Sequence, residues 1–144
     1  MPQDDITFRH DSSLLSESGL AQVDTAVRWL RAHPRLTIVI EGYADHTGGV
    51  DYNEVLAQRR AHAVRMRMIE NGIANDRIVM VTFGEELADP RGSSLDRRAI
   101  VYATTYSPRS VVAVSLAKKH ALSVSWAEGN AVFSQSRGRT LATR

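Results

Sequence analysis

Asp45 and Arg60 are the residues whose types and spacing suggest chemistry. They lie in the stretch Glu41 to Ala61, which reads EGYADHTGGVDYNEVLAQRRA. Asp45 falls at the mouth of a strand-to-helix connection, and Arg60 falls on the helix that follows. Two opposite charges held at fixed spacing on rigid elements can grip a zwitterion, such as an amino acid carrying both an ammonium and a carboxylate. That pattern points to a binding module rather than a catalyst.

Asn53, Leu56, Arg60 and Val64 recur at i, i+3, i+7 and i+11, so they share one helix face. Arg60 thus sits among residues that belong against a core. A guanidinium cannot lose its proton there and needs an anion. Arg59 lies about 100° further round the helix and is expected to face solvent, with His62, Arg65 and Arg67. Two readings stay open from spacing alone. Asp45 and Arg60 form either an ion pair that orients the loop or the two ends of a ligand clamp. His46, Thr47, Gly48 and Gly49 would add a hydroxyl and backbone N–H groups near the helix start, an environment suited to an anion. The loop lacks G-x-x-x-x-G-K-[ST], so nucleotide phosphate binding is not supported.

The elements that would position these residues follow from periodicity. Ile6 and Phe8 alternate as in a strand, ending at the polar run His10 to Ser13. Ser16 caps a helix with Leu20, Val23, Val27 and Leu30 on one face, stopped by His33-Pro34. Leu36 to Ile40 is a β-branched buried strand. The next helix, with Asp51 and Glu54 at capping-box spacing, runs to about Glu70, where Asn71-Gly72 ends it. Ile78 to Phe83 and Arg97 to Thr104 are strands, separated by an irregular loop from Gly84 to Ser94. The order β-α-β-α-β-β predicts an α+β two-layer sandwich with helices on one face of a small mixed sheet.

Composition adds limits. The chain has 144 residues, no cysteine and a net charge of +2, which excludes disulfides and thiolate metal sites. Residues 107–144 carry six cations against Glu128 alone, a formal +5, so residues 1–106 are at −3. Val111 to Leu116, Leu122 to Ala127 and Ala131 to Gln135 are short β-prone pieces, with a turn at Glu128-Gly129-Asn130. Ser136 to Arg144 is expected to be disordered. The division is therefore a first domain, 1–106, and a basic, β-prone, partly disordered extension, 107–144. No apolar run approaches the roughly 20 residues of a membrane span. The N-terminus MPQDDITF is not a signal peptide, so an exported protein would carry its signal or anchor outside this chain.

The string Ile40-Glu41-Gly42-Tyr43-Ala44-Asp45, then Gly48, Tyr52-Asn53, Leu56 and Arg59-Arg60-Ala61, resembles the OmpA-like peptidoglycan-binding domain. That domain occurs in peptidoglycan-associated lipoproteins and flagellar stator proteins. Phe8 with Asp11-Ser12-Ser13, Gly72-Ile73, Arg77-Ile78, Phe83-Gly84-Glu85 and Asp96-Arg97-Arg98-Ala99 match in order, over about residues 5–105. The resemblance implies non-catalytic binding of the peptide stem of peptidoglycan through meso-diaminopimelate, anchoring an envelope assembly to the cell wall from the periplasm. On that reading Asp45 receives the ammonium and Arg60 grips a carboxylate bidentately. Thr47 and Asn53 help line the pocket, and Asp11 and Arg97 contribute from the first turn and the last strand. Three departures stand out. Tyr43 replaces the usual His, His10 replaces a large apolar residue, and residues after Tyr106 have no counterpart.

No cofactor, metal or nucleic acid is called for. An enzyme would need His10-Asp11 and Asp45-His46 to converge as a metal or acid–base cluster, but neither H-E-x-x-H nor G-x-S-x-G is present. The other alternative is a protein-interaction or dimerisation module that has kept the fold and lost wall binding. Its extension would pair with another envelope protein or a second copy.

Overall fold

The computed structural model of the chain describes residues 4–44, 50–84, 97–128, 131–136 and 139–143, and gives the backbone alone for 50, 51, 128, 131–136 and 139–143. Strand β1 (Asp4–Thr7), helix α1 (Glu17–Ala32), β2 (Thr37–Tyr43), α2 (Val50–Glu70), β3 (Ile78–Phe83) and β4 (Arg98–Thr104) follow the expected order. Beyond them come α3 (Pro108–Leu116), β5 (Ala121–Glu128), β6 (Ala131–Ser136) and β7 (Arg139–Thr143). The strands form one mixed sheet in the order β1-β4-β2-β3-β5-β6-β7. Among the described strands only β2 and β3 run parallel, which is what a crossover through α2 requires.

The helix ends obey local chemistry. The Ser16 hydroxyl accepts the Gly19 N–H at 3.1 Å and caps α1. Helix α1 stops at His33, and Arg77 donates to the carbonyls of Leu30, His33 and Leu36 around that end. At the end of α2, Gly72 takes φ +94°. Ile73 N–H reaches Met68 O and Gly72 N–H reaches Ile69 O, both at 3.0 Å. This is a Schellman ending, and it tucks Ile73 into the core beside Met68. Asp51 lies within the first turn of α2 rather than before it.

Alternation along each strand sorts side chains between two cores. Ile38, Ile40, Ile78, Ala99 and Val101 face α1 and α2, where they meet Val23, Leu30, Ala61, Val64 and Met68. Gly42 lets that helix approach, for a Cβ there would lie 2.6 Å from Ala57 O. Val39, Val79, Val81 and Phe83 face the other way, onto Val111 and Val112 of α3 and Val124 and Trp126 of β5.

Two expectations for the extension need correction. Val111 to Leu116, read as β-prone, is helix α3. The Ser107 hydroxyl accepts the Ser110 N–H and Pro108 opens the helix, so a strong start signal outweighs the β-branched run. Arg139–Thr143, expected to be disordered, is strand β7, because pairing along β6 satisfies its backbone. The loop from Gly84 to Ser94 and the turn at Gly129-Asn130 fall largely outside the described residues, although Glu128 opposes Ala131 as a tight hairpin demands.

Candidate functional site

The described candidate residues lie on α2, in the β1–α1 turn and immediately before β4. Arg60 is 3% exposed, flanked by Ala57, Ala61 and Val64 at 0–1%. Its Nε donates to Ser12 O at 2.9 Å and its Nη2 to Arg9 O at 3.1 Å. The guanidinium carbon lies 5.6 Å from the centre of the Phe8 ring, an attractive cation–π geometry. Arg60 is thus held by two backbone carbonyls and an aromatic face. Carbonyl oxygens carry partial negative charge and lower the cost of burying the guanidinium. Arg59, one residue earlier, is exposed as expected. So is His62, whereas Arg65 and Arg67 are half-buried.

The turn that Arg60 grips has its own constraint. Ser12 N–H returns to Arg9 O at 3.1 Å. Asp11 adopts φ 55°, a left-handed conformation that Asp tolerates better than most residues. This geometry brings Asp11 Oδ1 to the Tyr52 hydroxyl, 3.3 Å away on the first turns of α2. His10 Nε2 lies 3.5 Å from the other carboxylate oxygen. Asn53, beside Tyr52, is half-buried.

Arg97 lies immediately before β4 and is exposed. Its carbonyl accepts the Phe8 N–H at 2.6 Å, so its backbone meets the same aromatic residue that Arg60 covers. Among the candidate residues, then, Asp11, Asn53, Arg60 and Arg97 are described, and the β1–α1 turn and Phe8 link Asp11, Arg60 and Arg97. Asp45 and Thr47 lie outside the described residues. Sequence reasoning did not anticipate the carbonyls of Arg9 and Ser12 or the roles of Phe8 and Tyr52. The Tyr52-Asn53 pair in the motif was the available signal for Tyr52.

On the opposite face of β2, Glu41 is 8% exposed. It accepts from the Tyr43 hydroxyl at 2.7 Å and the Tyr102 hydroxyl at 3.0 Å. Burial, and then the Glu41 carboxylate, hold both phenols well above their ordinary pKa. No group of three or more His, Asp or Glu suited to a metal ion occurs among the described residues.

Comparison with known proteins agrees with this fold. The OmpA family model matches residues 7–101. A peptidoglycan-associated lipoprotein of Brucella melitensis is 36% identical over 83 residues, 58% of this chain and 49% of that protein. The crystal structure of the peptidoglycan-associated lipoprotein from Burkholderia pseudomallei superposes with a TM-score of 0.62 at 28% identity, covering 69% of this chain and 89% of that one. The C-terminal domain of Helicobacter pylori MotB gives a TM-score of 0.62 at 18% identity, over 78% and 94% of the two chains, a likeness of fold. The chain spans about half the length of the curated lipoproteins it matches. With the matched segment running from the end of β1 into β4, the chain belongs to the OmpA family.

Proposed function

We propose that this chain is a non-catalytic wall-binding module that holds the peptide stem of peptidoglycan through diaminopimelate and anchors an envelope assembly in the periplasm. The observation that carries this reading is Arg60: a buried guanidinium, fixed by Arg9 O and Ser12 O, inside a segment matching the OmpA family. A pre-positioned guanidinium loses little freedom when it takes a carboxylate, which favours a specific grip. In this reading Asp45 receives the ammonium. Thr47 and Asn53 line the pocket, and Asp11 and Arg97 close it from the β1–α1 turn and the head of β4. Single-site affinity can be modest, because a polymer presents many stems and avidity multiplies them.

The test is co-sedimentation with diaminopimelate-type sacculi. Wild type should pellet with the sacculi, and folded Asp45→Ala should stay in the supernatant. Wild type remaining soluble, or Asp45→Ala pelleting equally, would overturn the proposal. A carboxamide removes the anion that arginine needs, so free diaminopimelate should bind more tightly than its amidated form.

A further inference from the structure

We propose that the cleft between α3 and the sheet docks one apolar side chain from an acidic protein segment, on the face opposite Arg60. The cleft has a volume of about 170 Å³ and is lined by Val39, Tyr102, Thr104, Tyr106, Val111, Val114, Ser115 and Lys118. An apolar cavity of about 150 Å³ accepts benzene, so this space suits a leucine or phenylalanine side chain. Val111, Val114, Ser115 and Lys118 recur at i, i+3, i+4 and i+7, one stripe of α3. Val111 and Ser115 are buried against the sheet, while Val114 and Tyr106 are 51% and 62% exposed. Two large apolar side chains thus stand open to solvent at one cleft.

Charge selects the partner. Lys118 lines the cleft, its ammonium 5.4 Å from the centre of the Phe83 ring, and Lys119 follows it; both are exposed. The Arg109 guanidinium, at the other end of the helix, lies over Trp126, which does not line the cleft. Among the described residues, no carboxylate lines the cleft. Glu41 lies behind Tyr102 and is already held by two phenol hydroxyls. An apolar residue flanked by carboxylates would fill the space and meet the cationic rim. Apart from Val39, every lining residue falls after the segment that matches the OmpA family.

The probe is a short peptide with one leucine or phenylalanine flanked by glutamates, titrated into the full chain at low salt and followed by amide chemical shifts. Saturable shifts should centre on Val111, Val114 and Lys118, and fade as salt rises. Lys118→Glu and Val114→Glu, both at exposed positions, should each weaken binding at least tenfold with unchanged melting temperature. The proposal is overturned if millimolar peptide shifts nothing, if a lysine-flanked peptide binds equally, or if both variants bind like wild type. It also falls if the cleft proves to be covered by a second copy, seen as self-association that Val114→Glu abolishes, or if anionic vesicles bind the chain while the peptide does not.

Discussion

The Arg60 guanidinium donates from Nε to the Ser12 carbonyl across 2.9 Å, so a residue on α2 fixes the turn that precedes α1. Position 60 therefore has a structural task whatever it binds. Hydrogen bonds from charged donors contribute roughly 1.5–3 kcal/mol each. Arg60→Ala strips two carbonyls of that donor, although Arg9 O keeps Ser12 N–H. Urea unfolding should show a loss of about 2–4 kcal/mol, together with loss of sacculus binding. Arg59→Ala, at an exposed position, should stay within about 0.5 kcal/mol of wild type and bind normally. A large binding loss in Arg59→Ala would mean that the wrong arginine has been assigned.

A second tie joins the helices. Arg67 meets Asp24 through two hydrogen bonds of 2.9 and 2.8 Å, and Asn71 adds a third at 2.7 Å. The Arg67 hydrogen bonds hold the Asp24 carboxyl below its ordinary pKa. The unfolded chain therefore takes up this proton first as pH falls. The contribution is complete above about pH 4 and is lost as pH drops through the folded value. Asp24→Asn should be less stable at neutral pH, and its urea midpoint should fall less than that of wild type between pH 5 and pH 2. Parallel curves would refute the linkage.

Two glycines should fail for different reasons. At Gly42 a Cβ would meet backbone, Ala57 O at 2.6 Å, so β2 and α2 must separate. Gly42→Ala should cost about 1–3 kcal/mol as an overpacking change. At Gly72 nothing lies within 4 Å, and φ +94° alone opposes a side chain. Gly72→Ala should cost about 1–2 kcal/mol, and Gly72→Asn less, since Asn tolerates left-handed backbone. Equal costs for Ala and Asn at position 72 would argue against the conformational explanation.

These features were unequally legible in the sequence. The first six elements were readable because each has a strong period and a punctuating cap: Ser16 before α1, Asn71-Gly72 after α2. Helix α3 is hidden because Val111, Val112 and Val114 favour strands locally, and its only helical signal is the Ser107-Pro108 start. The second core was hidden in plain alternation. Val39 looks like part of one buried strand with Ile38 and Ile40, but with Tyr43 it occupies the face that α3 and β5 cover. Arg60 was identifiable as an arginine on a core face. Its carbonyl partners depend on how the chain turns at Asp11, and no residue type announces backbone oxygens.

The Glu41 cluster gives an alkaline counterpart. Tyr43 and Tyr102 have raised pKa values in the folded chain, first from burial. The unfolded chain releases these protons first, so stability is complete below about pH 10 and falls above it. Tyr43→Phe and Tyr102→Phe should each cost about 1–2 kcal/mol at pH 7 by removing a donor to a buried carboxylate. The two changes share one acceptor, so the double variant should depart from additivity. Strict additivity would mean that the two hydroxyls act independently.

The extension is the last test, because residues 107–144 bring part of the core. Val124 and Trp126 of β5 and Val111 and Val112 of α3 cover Val39, Val79, Val81 and Phe83. The Trp126 Nε1–H also donates to Asp76 O at 2.7 Å, tying β5 to the turn before β3. Ending the chain at Tyr106 would bare four large apolar side chains on one sheet face and the ladder edge of β3. Unpaired edges and apolar patches both drive association. The 1–106 fragment should therefore aggregate or bind a hydrophobic dye. A fragment ending at Glu128 keeps α3 and β5 and should melt cooperatively. If 1–106 instead proves monomeric and as stable as the full chain, the second core contributes little, and the α1–α2 side alone sustains the fold.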